Sequence, residues 1–527
     1  MCYTNRNGRI CPKRKNGKRD TGMENIAIYR KIEEIIQREG RLPEDFTPEA
    51  REVKDGEVMF APGAMEGILS HHSSGKGEKT SFVPVLKQYV KMSLGEALQD
   101  FEVNKADTFK VATMRGSLLQ EIMNHSVELD PNKVANLAYC FAANGRKAET
   151  VKLGLTMLAL FNFSGNPQVC HMLKTLGYCE EFTDYVLMSV EEWPQQQKQD
   201  CYFELARKLY GWGKINVVEM LEADTEEKKQ WLLCHGCENS ILNAYLGLVC
   251  AEKADLYGRL QKGNLSSEEL AGATEIMDGL LDEGPCAGMS ALEHPVELTL
   301  LYLKEVEEVL KSGASEAGIT YVAACNKIND YFGDEETEIE GASKVCEKIQ
   351  EMIATLDVDS LLAAGLKDYT WQSIQVANLC GKDVAGKLLE LIREDFNKYY
   401  RYCNYFFQKE CLVEEFVALC EEKAAAVSYS KGMGNLMGLK LGDGQVALDM
   451  TVQYLHSYPL LGRKLVEICM DSPIIRWRNM AAKALQGWVE MLNKPLQEIA
   501  PELYAKVMTL NIVEVNKNTK EQWSKLI

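Results

Sequence analysis

The sequence contains one Cys-x-x-Cys pair, at Cys234 and Cys237. A thioredoxin-type redox motif follows a strand in a βαβ unit, but the residues before this pair, DTEEKKQWLL, have a helical pattern. A structural zinc site would need a second pair or suitable histidines. Covalent haem attachment would need a histidine directly after the second cysteine. We therefore interpret the pair as a helix end with two half-buried thiols.

Two other short patterns could bind a ligand. His71 and His72 are adjacent in a Ser/Gly-rich stretch, where neighbouring side chains rarely converge on one metal. Gly432, Gly434 and Gly438 approach a dinucleotide-binding fingerprint, but the third glycine comes one residue late and a helical pattern precedes it. We interpret the two histidines as part of a loop, and the three glycines as part of a loop and a short helix between two helical repeats.

Motifs that identify common enzymes are missing from the sequence. There is no Gly-x-Ser-x-Gly elbow, no phosphate-binding Walker loop and no HExxH motif. The acidic run between Asp334 and Glu340 lacks the ligand spacing and internal glycine of an EF-hand, so we interpret it as a solvated loop between helices. The sequence predicts no catalytic, cofactor-binding or metal-binding residue.

The segment FNKYYRYCNYFF, Phe396 to Phe407, has seven aromatic residues in twelve positions. If the segment were a single helix, one of its faces would belong to the core. Tyr405 would then point roughly opposite to that face, and Tyr402 would lie outside the apolar stripe. Such a helix is either sandwiched between layers or presents tyrosines to a partner, and both alternatives stay open. Tyrosine and arginine are favoured interface anchors. The predicted partner-binding residues are Tyr399, Arg401, Tyr402 and Tyr405.

Composition limits the classes of partner. The chain of 527 residues has a net charge of −18, and residues 1–22 carry about +6, which leaves about −24 for the remainder. An acidic body repels phosphate backbones, so nucleic acid is an unfavoured partner and a basic protein is a favoured one. The longest apolar stretch, Leu153 to Phe163, is about half of a membrane span. Seventeen scattered cysteines indicate unpaired thiols in a reducing cytoplasm.

The distribution of charged, apolar, proline and glycine residues divides the chain into four regions. Residues 1–22 form a basic tail or an incorrectly assigned start before Met23, and 23–80 hold an N-terminal helix and an irregular segment rich in proline and glycine. From about residue 81, helical patterns follow one another with short breaks, which predicts an all-α chain. We place one helical arm at 81–282 and a second at 292–527. Three helix starts share an N-cap residue followed by proline: Asp130-Pro131, Asn166-Pro167 and Ser472-Pro473.

One of these starts opens the stretch DSPIIRWRNMAAKALQGW, Asp471 to Trp488. Apolar residues recur there at steps of three and four, with Arg478 and the pair Ala481-Ala482 inside the stripe. The stretch resembles the second half of a HEAT repeat, the helical hairpin unit of α-solenoids. The resemblance implies an α-solenoid of helical-hairpin repeats. Some HEAT-repeat proteins are iron hydroxylases with repeated His-Glu pairs, but this chain has only the single, reversed pair Glu293-His294.

The resemblance also implies a function, because HEAT-like repeats generally serve as extended interaction surfaces. We expect a cytoplasmic scaffold or adaptor that binds another protein without catalysis. An alternative is an enzyme with an unrecognised site between the two helical arms. A second alternative is a nucleic-acid-associated solenoid, which would need a basic groove that the composition hardly supplies. The sequence names neither the partner nor the oligomeric state.

Overall fold

The structure is a computed structural model, and it describes residues 26–49, 62–67, 81–284, 286–311, 315–434 and 443–527. The predictions for the tail 1–22, for a start at Met23 and for His71-His72 concern residues outside these ranges. Within the described residues the chain is all-α and contains no strand, as the sequence predicted.

The described α-helices are numbered in chain order. The first fifteen are α1 Ile28–Glu39, α2 Val83–Tyr89, α3 Leu94–Asn104, α4 Val111–Asn124, α5 Pro131–Asn144, α6 Ala148–Leu158, α7 Pro167–Gly177, α8 Thr183–Val190, α9 Gln195–Ala206, α10 Trp212–Met220, α11 Glu226–Trp231, α12 Gly247–Lys253, α13 Leu256–Lys262, α14 Ser267–Leu280 and α15 Pro295–Lys311. The others are α16 Ser315–Gly333, α17 Ala342–Ile353, α18 Val358–Gly365, α19 Thr370–Leu379, α20 Ala385–Glu394, α21 Phe396–Tyr399, α22 Asn404–Lys409, α23 Val413–Ala425, α24 Asp443–Val452, α25 Arg463–Met470, α26 Ile475–Leu492, α27 Leu496–Ile499, α28 Pro501–Val513 and α29 Lys517–Ser524.

The chain divides into two compact units. The first contains the described residues up to 311 together with Lys327–Met352. The second contains 315–326 and the described residues from 353 to 527. The division between these units does not coincide with the division between the predicted arms, 81–282 and 292–527. The two arms therefore stay a prediction.

Two of the three predicted helix starts are confirmed by their caps. The Asp130 side chain accepts a hydrogen bond from the backbone N–H of Asn132, and that of Asn166 accepts from Gln168 and Val169. In each case proline occupies the first helical position, where its missing N–H costs nothing. Helix α5 ends at Asn144 and is followed by Gly145.

The third start is wrong by two residues. Helix α26 begins at Ile475, and Ser472 instead accepts a hydrogen bond from the backbone N–H of Ile474 through its hydroxyl, at 3.1 Å. The serine therefore stabilises the turn before the helix rather than the helix N-terminus. The carbonyl of Ser472 is used elsewhere, because it accepts a hydrogen bond from Arg478 at 2.8 Å.

Helices α5 and α6 of the first unit pack closely against each other. A Cβ atom on Gly154 would lie 2.5 Å from the backbone nitrogen of Ala142, so only glycine permits this approach of the two backbones. Phe141 and Leu153 are fully buried beside this contact. The two consecutive helices thus form a tight hairpin, as their short connection predicts.

The core of the second unit is centred on α26. The indole rings of Trp477 and Trp488 are buried, and Trp488 donates a hydrogen bond to the carbonyl of Leu455 at 2.7 Å. A Cβ atom on Gly487 would lie 2.3 Å from the carbonyl oxygen of His456. The apolar stripe predicted from Asp471 to Trp488 is therefore confirmed as core.

Candidate functional site

The aromatic segment does not form the single helix that its spacing predicted. Helix α21 ends at Tyr399, a 3₁₀ turn covers Tyr400–Tyr402, and α22 begins at Asn404. A 3₁₀ turn has three residues per turn instead of 3.6, so it rotates the side chains that follow it. Tyr405, which the spacing places about opposite the core face of a single helix, is buried in the structure.

The predicted partner-binding residues occupy two kinds of environment. Tyr399 and Tyr405 are buried, with 3% and 4% of their surface exposed. The Tyr399 hydroxyl donates to the carbonyl of Lys367 at 3.2 Å, and the Tyr405 hydroxyl accepts from the N–H of Val384 at 3.3 Å. Arg401 and Tyr402 are half-buried. The two buried tyrosines hold the segment on the preceding helices, while a role in partner binding stays a prediction.

Replacing Tyr405 by alanine is expected to lower the free energy of unfolding of the second unit by about 3–5 kcal/mol. The change leaves a cavity the size of an aromatic ring and removes the acceptor of the Val384 N–H. Arg401→Ala is the control, and we expect it to change stability by about 0.5 kcal/mol or less. Hydrogen exchange of the amides of α20 and α22 would measure the change in stability of both variants. Equal protection in Tyr405→Ala and the wild type would contradict the prediction.

A cavity of about 340 Å³ adjoins Phe396 in the second unit. Its apolar lining includes Leu448 and Leu465. Its charged lining residues have both signs: Arg393, Glu394, Asp395 and Lys423. Because these charges balance, the cavity selects no particular ligand charge.

The Cys-x-x-Cys pair lies at the end of α11, where the helix continues as a π-helix over Leu232–Gly236. Cys234 is half-buried and Cys237 is buried. Burial raises the pKa of the Cys234 thiol to about 11 and raises that of Cys237 well above its usual value. Since the thiolate is the reactive form, the pair is protonated and poorly reactive at neutral pH.

We expect Cys234 to react with iodoacetamide at pH 8 at least about tenfold more slowly than free cysteine, whose pKa is about 8.5. Cys237 should react more slowly still, because it is fully buried. Mass spectrometry of timed samples would give both rates, with the urea-unfolded chain as the control. Modification of Cys234 at the rate of free cysteine would contradict this account.

The first unit contains a buried polar cluster that the sequence analysis did not find. The ammonium of Lys152 lies 2.8 Å from a carboxylate oxygen of Glu66, 2.5 Å from Glu181 and 3.7 Å from Glu149. The Tyr185 hydroxyl donates to Glu66 at 2.8 Å. Burial alone would lower the pKa of Lys152, but Glu181 and the other carboxylates raise it above its usual range. The lysine is therefore held as a cation among carboxylates.

Residues 62–67 supply one side of this cluster. The N–H of Gly63 donates to Glu181 at 3.1 Å, and a Cβ atom there would lie 2.5 Å from the carbonyl of Glu180. A Cβ atom on Gly67 would lie 2.3 Å from the Trp212 ring. These close approaches explain the two glycines and bring Glu66 to Lys152. The cluster is a folding contact between segments 86 residues apart.

A shallow groove of about 390 Å³ lies beside α1 and α7. His171 contacts Glu33 at 3.1 Å, and Lys174 donates to Glu204 at 2.7 Å. Burial raises the pKa of the nearby Cys170 thiol. The groove thus has paired charges and a protonated thiol, which is not an arrangement for nucleophilic catalysis.

Two loop predictions agree with the structure. Residues 334–341 lie between α16 and α17, where the N–H of Glu336 donates to the carboxylate of Asp334 at 2.9 Å. Gly432 and Gly434 lie in a loop, and the carbonyl of Gly434 accepts from Arg478 at 2.9 Å. Gly438 is outside the described residues. Gly432 and Gly434 therefore belong to a loop that is hydrogen-bonded to Arg478 of the core.

Helix α28 has an apolar surface on both of its sides. Leu503, Val507 and Leu510 recur at steps of three and four and are buried. On the other side Met508 and Ile512 are exposed, and Val513 at the end of the helix and Val515 two residues after it are exposed as well, each by between 41% and 76% of its surface. These residues, which we call the α28 face, are Met508, Ile512, Val513 and Val515. The α28 face is therefore the best candidate for an interaction surface.

Other classes of site receive no support from the described residues. In them, no three His, Cys, Asp or Glu side chains are grouped so as to hold a metal ion. Among the same residues, no helix combines the length and apolar character that a membrane span needs. No family model, no curated protein and no solved structure matches the chain.

Proposed function

We propose that this protein is a cytoplasmic scaffold or adaptor that binds another protein on a helical surface and performs no catalysis. The observation that carries the proposal is the α28 face, where Ile512 is 76% exposed. Isolated exposed apolar side chains are ordinary, but several exposed apolar side chains close together on successive turns of a helix are typical of interaction sites. Met508 and Ile512 are four residues apart and so lie on the same side of the helix.

The HEAT-like repeat identity is part of the same proposal. It rests on the resemblance over Asp471 to Trp488 and on consecutive helices that pack as pairs, such as α5 with α6 and α25 with α26. A fold of helical hairpins offers ridged faces to partners. Arg401 and Tyr402, which the buried Tyr399 and Tyr405 hold in place, are proposed as a second contact.

The expectation of a basic partner came from the net charge of the whole chain, −18. It does not apply equally to every surface. Lys517, Lys520 and Lys525 are exposed on or next to α29, and the exposed acids of α28 and α29 are Glu502 and Glu521. Local charge at the α28 face is thus a better guide to its partner than the total charge.

The proposal is tested by affinity capture from native cell extract with the full chain and with Ile512→Ser. Val127→Ser is the matched control, because Val127 is an aliphatic residue with 95% exposure in the first unit. We expect a stoichiometric protein partner with the wild type and Val127→Ser, and its loss with Ile512→Ser. Equal capture by all three chains, or no stoichiometric partner, would overturn the proposal.

A further inference from the structure

We propose that the α28 face binds an amphipathic helix whose apolar side is flanked by Asp and Glu residues. This inference rests on the proposed function and names the chemistry of the partner.

The exposed pattern fits a helix. Met508 and Ile512 of the α28 face form one stripe along α28 with the exposed Ala505 and Thr509, because these four residues follow one another at steps of three, one and three. A stripe of this kind forms ridges and grooves into which the side chains of a second helix interdigitate. Small residues at two of the four positions allow close approach, and Met508 can adapt its shape to the partner.

An extended peptide fits less well. Peptides that bind as strands pair with the free edge of a sheet through backbone hydrogen bonds. The part of the chain that the structure describes has no strand and so has no such edge. In α28 the backbone N–H and C=O groups are used within the helix, so only side chains remain to bind a partner.

Charge determines which helix fits. On α28, on α29 and directly after it, the exposed lysines Lys517, Lys520 and Lys525 outnumber the exposed acids Glu502 and Glu521. Lys517 follows Val515 of the α28 face by two residues. Lys506, by contrast, is paired with Glu467 at 3.2 Å and Asp471 at 2.9 Å and contributes little free charge. The local charge beside the face is therefore positive, in a chain whose net charge is −18.

A second copy of this chain is a less favourable occupant than an acidic helix. A two-fold dimer through the α28 face places the same surface of both copies together. It would bring two sets of lysines toward each other, and like charges across an interface oppose association. Carboxylates beside the apolar side of a foreign helix would instead pair with these lysines at the rim.

The test uses two synthetic 18-residue peptides with capped ends. Both have leucines at positions i, i+3, i+4 and i+7, with glutamates beside the leucines in one peptide and lysines in the other. Fluorescence anisotropy with the full chain is expected to show at least about tenfold tighter binding of the glutamate peptide. The preference should decrease as salt is raised, since exposed charges are screened.

Two variants test which residues are responsible. Ile512→Ser is expected to weaken binding of the glutamate peptide about tenfold, and Val127→Ser is expected to leave it unchanged. The double variant Lys517→Glu with Lys520→Glu should reverse the preference toward the lysine peptide. All of these side chains are exposed, so circular dichroism and hydrogen exchange should show an intact fold.

Three results would overturn the inference: equal binding of both peptides, no binding of the glutamate peptide, or Ile512-dependent dimers in sedimentation experiments. These outcomes are distinguishable from failure of the scaffold proposal. A protein captured through Ile512 that is insensitive to Lys517→Glu and Lys520→Glu would contradict the acidic partner alone. Capture that is insensitive to Ile512→Ser would contradict the scaffold proposal itself.

Discussion

Replacing Arg478 by methionine is expected to lower the free energy of unfolding of the second unit by about 3–5 kcal/mol. The guanidinium and the Glu514 carboxylate are both fully buried and form two parallel hydrogen bonds, of 2.7 and 2.8 Å. Arg478 also donates to the carbonyls of Ser472 and Gly434. Removal of the arginine leaves a buried carboxylate without its cation, which is the costly way to break such a pair.

The pKa of Glu514 supports this view of the pair. Burial by itself would raise that pKa, but the hydrogen bonds from Arg478 hold it below its usual value. A lowered folded-state pKa stabilises the fold above the usual pKa of glutamate, and this contribution is lost as pH falls. The cost of Arg478→Met should therefore be greatest at neutral pH and smaller in acid.

Two further variants separate the ion pair from the bulk of the side chain. Arg476→Met, two residues earlier, removes an exposed arginine that pairs with Asp449 at 3.0 Å, and should cost about 0–1 kcal/mol. Arg478→Met combined with Glu514→Met should cost less than Arg478→Met alone, because no charge remains buried. Hydrogen exchange of α26 and α28 amides would measure all three. Equal protection of Arg478→Met and Arg476→Met would contradict the prediction.

Replacing Lys152 by methionine should destabilise the first unit by a similar amount, about 3–5 kcal/mol. The ammonium is the only cation within 4 Å of Glu66 and Glu181 among the described ion pairs, and just 4% of the lysine side chain is exposed. Methionine fills the same space but supplies no charge. The measurement is hydrogen exchange of α6 and α8.

The effect of Lys152→Met should depend on pH. Burial already raises the pKa of Glu149 above its usual value, and loss of the ammonium raises it further. A group with a raised folded-state pKa stabilises the fold below its usual pKa, about 4.3, and this stability is lost as pH rises through the raised value. The deficit relative to the wild type should thus be larger at pH 8 than at pH 5.

Lys147→Met is the matched control for Lys152→Met. Lys147 pairs with Asp107 at 2.6 Å, but the side chain of Asp107 is 76% exposed, so solvent screens the pair. We expect a loss of about 0–1 kcal/mol. An equal effect of the two substitutions, or a deficit for Lys152→Met that does not change with pH, would contradict the assignment of the cluster.

Features that depend on a few neighbouring residues could be predicted from the sequence. The caps at Asp130 and Asn166 bind N–H groups two or three residues later, so the dipeptides with proline were sufficient to place these starts. The stripe around Trp477 and Trp488 was equally visible, because helical spacing reveals which side is core. An all-α chain follows from such local signals.

Contacts between distant residues could not be predicted in this way. Arg478 stood out in its stripe, but Glu514 lies 36 residues later and nothing local joins them. Lys152 and Glu66 are 86 residues apart. The 3₁₀ turn at Tyr400–Tyr402 interrupts the aromatic segment, and helical periodicity does not reveal it.

The sequence of α28 contains apolar residues at helical spacing on two sides, and this pattern is the sequence signal for the α28 face. Leu503, Val507 and Leu510 predict one apolar side, and Met508 and Ile512 predict another. Periodicity shows that both sides are apolar, but not which of them the fold covers. The structure supplies that answer by burying the first side and exposing the second.

Protection of Met508 from oxidation tests most directly whether the α28 face is an interface. Met508 is 41% exposed, and Met123 in the first unit, at 57%, is the internal control. Brief peroxide treatment converts accessible methionines to sulfoxides that mass spectrometry quantifies. The account predicts several-fold slower oxidation of Met508 in native cell extract than in the purified chain, with Met123 unchanged. Equal oxidation of Met508 in both samples would contradict it.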